Sequence, residues 1–342
     1  MSNGLWALGA AVLAFVISYV LGKVLIPYLH KLKFGQTILE IGPDWHKKKQ
    51  GTPTMGGIMF IFGIVIAAVL CFTLRILANN NVPDLQKSKF FVGLLMAILY
   101  GVIGFIDDYI KVVKKRNLGL TAIQKLIMQF SVAGLYLLAL YFIEGEHVTR
   151  TIIPFVNDGK PVDLGWFFYV ISALVIVGIV NATNLTDGID GLLGSITFFA
   201  ALFVMIIATF LLNVGAIIEC AALAGGLLGF LMWNFHPAKV FMGDTGSLFL
   251  GGMVCAILFS INMPILLIPV GIVYLAEMFS VMLQVTYFKA THGKRLFKMS
   301  PIHHHFEMCG WSEVKIVCVF SLVTSIFSLL SLILVYFGVV KM

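Results

Sequence analysis

The chain has 342 residues, 60% of them hydrophobic and only 11% charged, with a formal net charge of +7. A mean hydropathy of +1.01 excludes an ordinary soluble domain. Continuous apolar runs exclude an outer-membrane barrel, whose strands alternate over ~10 residues.

Crossing a ~30 Å hydrocarbon core takes about 20 apolar residues, and the sequence holds about ten such runs. The expected fold class is an all-α polytopic membrane protein, one domain over residues 1–342. In chain order the spans fall at about 5–28, 55–77, 90–109, 121–143, 165–183, 190–212, 216–235, 246–262, 264–287 and 314–338. The first lacks a basic leader region and reads as a span, not a removed signal peptide.

The positive charge gathers after odd-numbered spans: Lys31, Lys33 and Lys47–Lys49; Lys111, Lys114, Lys115 and Arg116; Lys239; and Lys289, Lys294, Arg295 and Lys298. This bias puts those loops inside and both termini outside, and it explains the net charge without a nucleic-acid partner. Between spans four and five, Asn157-Asp158-Gly159 separates β-prone Val148–Val156 from Lys160–Val162, the pattern of a small external hairpin. The cysteines (Cys71, Cys220, Cys255, Cys309, Cys318) form no CxxC pair and imply neither disulfides nor zinc.

Five polar motifs fall on the inner side. Gly51-Thr52-Pro53-Thr54-Met55-Gly56-Gly57 enters span two, where free backbone N–H groups attract anions and Thr52 or Thr54 would otherwise serve as a plain cap. Asp107-Asp108 closes span three; adjacent carboxylates suit a cation or a general base, or form a charged rim with Lys111 and Lys115. Asn181–Gly194 repeats Asn181, Asn184, Asp187 and Asp190 every three residues. Its hard oxygens suit Mg²⁺, and if Gly188–Gly191 opens span six, the acids stand at a helix N-terminus. Phe241–Ser247 repeats a Gly-Asp-Thr-Gly knot before span eight, with Asp244 as cap or ligand, and Asn234 and His236 lie just upstream. Pro301–Glu307 sets His303, His304 and His305 on a loop, where they suit a phosphate or nucleobase better than zinc. Together the motifs suggest Mg²⁺-dependent chemistry on a diphosphate, with one substrate in the lipid phase.

The set TPTMGG, GFIDDY, NLTDGIDGL, FMGDTGS and PIHHHFE resembles the polyprenyl-phosphate N-acetylhexosamine-1-phosphate transferase superfamily, in order from Lys47 to Glu307. PIHHHFE points to the branch whose donor is UDP-MurNAc-pentapeptide; Gln50, where many members carry a basic residue, is a minor departure. The resemblance implies transfer of phospho-MurNAc-pentapeptide to undecaprenyl phosphate with release of UMP. It makes Asp244 and Asn184 Mg²⁺ ligands and sets Asp107 and Asp108 at the lipid phosphate, with Asp107 the favoured base. It gives Asp187, Asp190, Lys49, Asn234, Phe241 and His304 to the uridine side, and His303 to the diphosphate as a catalytic group. Thr54, Lys111, Lys115, Lys125, Gly188, Gly243 and His305 complete the substrate-binding set.

The implied location is the bacterial inner membrane with the site facing the cytoplasm; lipid-facing sides of spans one and ten would permit a homodimer. Competing readings are the N-acetylglucosamine-1-phosphate branch, a secondary transporter and a nucleotide-sugar scaffold. The transporter is disfavoured because the acids lie at inner loops, away from the midplane, and no repeat is visible.

Overall fold

The structure is a computed structural model describing residues 2–31, 49, 51–79, 81–113 and 118–341. Lys33, Lys47, Lys48, Gln50, Lys114, Lys115 and Arg116 lie outside the described residues. The helices run α1 (Asn3–Lys31), α2 (Gly57–Ala78), α3 (Asp84–Val113), α4 (Ala122–Glu144), α5 (Phe167–Thr186), α6 (Leu192–Phe210), α7 (Val214–Asn234), α8 (Gly243–Ser260), α9 (Leu267–Val270), α10 (Ile272–Ala290), α11 (Ile302–Met308) and α12 (Glu313–Val335). Among the described residues nine helices are long and apolar enough to cross a membrane, or ten if the bent pair around Gly271 is one span.

That pair covers the expected ninth span, 264–287, and is bent. Pro264–Val270 and Ile272–Ala290 meet at 77°. Pro264 opens a 3₁₀ turn, Pro269 brings no N–H, and Gly271 sits at the joint. Hydropathy registers an unbroken apolar run there because it senses length, not direction.

Helices α7 and α8 form the core, each 89% buried over its apolar window. α1 packs on α7, where Gly225 and Gly229 lie against the Ala11 and Phe15 carbonyls and Gly22 against Trp233; these small residues let backbones approach where lipid supplies no hydrophobic drive. α8 packs on α3, and Gly104 of α3 lies so close to the Asp244 carbonyl that a side chain there would collide with it.

The external hairpin is smaller than expected. Only β1 (Arg150–Thr151) and β2 (Val162–Asp163) pair, antiparallel. Asn157-Asp158-Gly159 is a 3₁₀ turn, with Asn157 and Asp158 both at φ 54°. The intervening backbone bonds elsewhere: Ile152 N–H donates to Asn262 O at 2.8 Å and Phe155 N–H to Gly338 O at 3.4 Å. The segment is latched to the bundle instead of pairing with itself. Beside it, buried Lys89 joins Glu144 at 2.8 Å. At the opposite end, the C-terminal ends of α3, α5 and α7 meet the N-terminal ends of α2, α8 and α12, and all five motifs converge there.

Candidate active site

Two glycine-rich segments are zipped together first. Phe241 N–H donates to Pro53 O, Gly56 N–H to Phe241 O and Gly57 N–H to Met242 O, at 2.8, 2.8 and 2.9 Å. Gly243 holds φ +74° against the Thr54 hydroxyl and the Asp108 carboxylate, where a β-carbon would clash.

The zipper fixes the start of α8, and Asp108 completes it. Asp108 Oδ2 accepts from Thr245 N–H at 2.9 Å and from the Thr245 hydroxyl at 2.7 Å, while Oδ1 accepts from Asp244 N–H at 3.2 Å. A carboxylate at the positive end of a helix is favourable, so Asp108 caps the helix that presents Asp244. Asp107 accepts from Leu120 N–H at 2.8 Å and pairs with Lys111 at 2.6 Å. Asp244 Oδ2 meets Lys111 at 3.0 Å and Lys125 at 2.8 Å. Its Oδ1 accepts from the Asn184 amide at 2.8 Å, and that amide also donates to Ser247 Oγ at 2.9 Å.

Asp107, Asp108 and Asp244 each offer an oxygen within 4.8 Å of the others. Three hard oxygens fit a divalent cation such as Mg²⁺, and each carboxylate keeps lone pairs beyond those its hydrogen bonds use. Asn184 stands beside this set.

A second pole surrounds Lys49. Its ammonium meets Asp190 Oδ1 and Glu313 Oε2, each at 2.7 Å. Asp190 Oδ2 accepts from Ala238 N–H at 3.0 Å and faces His236 Nδ1 at 3.1 Å, and Glu313 Oε2 accepts from Asp190 N–H at 3.0 Å. Asn234 ties the base of the pole, accepting from Gly191 N–H and donating to Val240 O. Asp190, His236 and Glu313 could also converge on a metal; Lys49 offsets one of the two carboxylate charges there, as Lys111 and Lys125 offset two of three at the first pole.

Asp187 stands between the poles. It is the C-cap of α5, while Asp190 lies in the turn before Gly191 (φ 75°), so neither opens α6 as expected. Desolvation first, then the negative charges of Asp244, Asp108 and Asp190, push the Asp187 carboxyl up to about 8. Its side chain is largely but not completely buried.

The histidine run is a correction: it forms α11, a helix and not a loop. His303 is fully buried and stands against Gly188, where any side chain would overlap Nε2. His304 Nδ1 meets Glu307 at 2.6 Å, and His305 Nδ1 accepts from Lys298 N–H at 3.2 Å beside Phe297.

The structure thus brings Thr54, Asp107, Asp108, Lys111, Lys125, Asn184, Gly243 and Asp244 to one pole, Lys49, Asp190 and Asn234 to the other, and Gly188 to His303. Phe241 enters through its backbone, His305 packs outward on Phe297, and Lys115 lies outside the described residues. Glu313 and Glu277 were not anticipated. Each is one acid in a helix, and only the contact with a distant cation or imidazole gives it meaning. A recess of about 460 Å³ lies on α4, lined by Ile123, Leu126, Ile127, Phe130 and Ser131. It contains none of these polar groups, so the chemistry lies elsewhere.

The chain is a membrane helical bundle whose acids and lysines converge at one end. The model described as glycosyl transferase family 4 matches residues 90–262. Signature 1 of the phospho-N-acetylmuramoyl-pentapeptide-transferases matches residues 49–61. Proteins of that name are similar nearly end to end. The one from Thermoanaerobacter sp. (strain X514) is 48% identical over 94% of this chain and 96% of its own. That from Clostridium perfringens (strain SM101 / Type A) is 45% identical over 93% of both chains, and that from Listeria innocua serovar 6a is 44% identical over 90% and 91%. The chain belongs to the phospho-N-acetylmuramoyl-pentapeptide-transferase family, within glycosyl transferase family 4, and is an enzyme and a multi-pass membrane protein.

Proposed function

We propose that the protein transfers phospho-MurNAc-pentapeptide from UDP-MurNAc-pentapeptide to undecaprenyl phosphate, releasing UMP, at the cytosolic face of the bacterial inner membrane with Mg²⁺ as cofactor. Family membership supports the reaction, and the distribution of Lys and Arg supports both termini lying outside. The observation that carries the site is the meeting of Asp107, Asp108 and Asp244 beside Lys111 and Lys125. It is a place built to hold charge at the edge of the lipid.

The chemistry is the joining of two anions. A phosphate monoester has a second pKa near 6, so the lipid phosphate is largely a dianion at neutral pH and needs little help from a base. Its oxygen attacks the phosphorus next to the sugar in line, the P–O bond to the α-phosphate breaks, and UMP leaves with the bridging oxygen. Lys111, Lys115 and Lys125 hold the lipid phosphate and relieve repulsion, and Asp107 accepts any remaining proton. Mg²⁺, held by Asp244 with Asn184 and the neighbouring carboxylates, supplies further charge neutralisation when bound. Lys49, Asp187, Asp190, Asn234, Phe241 and His304 bind the nucleotide side, Thr54, Gly188 and Gly243 shape the floor, and His303 contacts the diphosphate. Exposed apolar residues on α1 (Leu8, Val12) and α12 (Leu322, Ile326) leave room for a homodimer.

The test compares UDP-MurNAc-pentapeptide with UDP-GlcNAc as donor, in detergent with undecaprenyl phosphate and Mg²⁺, by UMP release. Turnover with the first donor alone is expected; preference for the second overturns the donor, and ion-coupled uptake without UMP release overturns the reaction. A labelled phospho-sugar trapped on the protein without lipid would overturn direct attack.

A further inference from the structure

We propose that Glu277 is a positioning residue: its carboxylate holds the His303 imidazole through Nδ1 so that Nε2 faces Gly188 and the incoming donor diphosphate. The inference rests on the reading of His303 as the group that contacts the diphosphate.

Both side chains are completely buried, and Glu277 Oε2 lies 3.1 Å from His303 Nδ1. The same oxygen accepts from the His303 backbone N–H at 3.4 Å, so one carboxylate oxygen addresses both the ring and the backbone that carries it. Among the described residues no Lys or Arg pairs with Glu277. A carboxylate in such a place is costly unless something compensates it, and the imidazole is what the fold supplies. The bend of 77° before α10 sets this helix against α11, which brings the two side chains together.

A purely structural pair would satisfy its polar atoms. Here Glu277 Oε1 and both His303 ring nitrogens have no hydrogen-bond partner, and a buried group in that state calls for an explanation, of which a catalytic role is one. Nε2 is directed at Gly188, where only the absence of a side chain makes room. Once Nδ1–H donates to the carboxylate, the tautomer and ring plane are set and Nε2 is left to meet substrate, the logic by which an acid orients a histidine elsewhere. The pair stands at contact distance without an aligned hydrogen bond, and such bonds tighten when substrate arrives.

The experiment uses the full chain in detergent with UDP-MurNAc-pentapeptide, undecaprenyl phosphate and Mg²⁺. Glu277→Gln and His303→Asn are compared for kcat, both KM values and thermal midpoint. Loss of a residue that orients a histidine typically costs roughly 10- to 100-fold in activity. Glu277→Gln should lower kcat by that factor while both KM values and the midpoint stay at wild type. Wild-type kcat in Glu277→Gln, with His303→Asn inactive, overturns the role of Glu277 alone. Wild-type turnover in His303→Asn overturns the reading of His303 beneath it. A kcat that falls only in step with the thermal midpoint makes Glu277 a packing residue and also overturns the proposal. If Glu277→Gln does not fold, Glu277→Asp carries the test with the same criteria.

Discussion

Asp108 binds Thr245 twice through one carboxylate oxygen, at 2.9 Å from the backbone N–H and 2.7 Å from the hydroxyl. The adjacent acids therefore do different work. Asp108 spends its oxygens on the first turn of α8, whereas Asp107 turns to Leu120 and Lys111. Hydrogen bonds to a buried charge contribute ~1.5–3 kcal/mol each. Asp108→Ala should cost at least about 4 kcal/mol of stability together with turnover, because three donors lose their acceptor. Asp107→Ala should stop turnover with a distinctly smaller loss of stability. Denaturation midpoints measured beside UMP release separate the two; equal destabilisation would refute the division of labour.

The carboxylate trio predicts a linkage that can be read without turnover. A ligand at a hundred times its Kd stabilises a folded protein by about 2.7 kcal/mol. Adding Mg²⁺ to chelator-treated wild type should raise the thermal midpoint, and chelation should abolish UMP release. Asp244→Asn should remove both the shift and the activity. A full Mg²⁺ shift in that variant would place the cation elsewhere.

Much of this was legible in the sequence, for identifiable reasons. Membrane class follows from composition, and the five motifs stand out because Asn, Asp and Gly are costly between apolar helices. The spacing in Asn181–Gly194 misleads, however. It suggests one ligand cluster, yet Asn181 pairs with Gln129 inside the bundle, Asn184 with Asp244, and Asp190 with Lys49. One helix end serves three neighbours because successive residues leave it in different directions. Glu313 was missed because its partner Lys49 lies 264 positions away, and no local pattern records that. The histidine run reads as a loop in the sequence because the seven residues of α11 are too few to show helical periodicity.

Glu313 should matter to the donor and not to the lipid. It shares Lys49 with Asp190 and also accepts from the Asp190 N–H, so it holds together the pole assigned to the nucleotide. Replacing one charged hydrogen bond costs ~1.5–3 kcal/mol, so Glu313→Gln should raise the KM for UDP-MurNAc-pentapeptide by roughly tenfold or more. The KM for undecaprenyl phosphate should stay as in wild type. Steady-state kinetics with each substrate varied in turn decide this, and equal effects on both would detach the Lys49 pole from the nucleotide.

The β1–β2 hairpin, at the end of the bundle opposite the site, offers a control. Asp163 accepts from the Thr149 hydroxyl at 2.6 Å and from Gly165 N–H at 2.8 Å, which with Arg150 and His147 holds its carboxyl below the usual range. Such a group stabilises the fold above its unfolded value, and that contribution is lost as pH falls through the lowered one. Hydrogen exchange at 149–165 should therefore quicken in acid, and Asp163→Asn should remove the acid sensitivity. UMP release at neutral pH should be nearly unchanged in that variant, and a large loss would tie the hairpin to catalysis.

Asp187 should show the opposite pH dependence. Burial and the charges of Asp244, Asp108 and Asp190 push it up to about 8, against about 3.9 for an unperturbed aspartate. Between those values the folded protein binds the proton that the unfolded chain releases, so this group's contribution to stability falls as pH rises from about 4 to about 8. Metal-free wild type should thus lose thermal stability across that window relative to Asp187→Asn, most steeply in its middle and levelling off near its upper end. Adding Mg²⁺ counters the three neighbouring charges and should flatten the difference. Midpoints recorded from pH 5 to 9, with and without the cation, give the answer; parallel curves for the two proteins would show that Asp187 is already ionised at neutral pH.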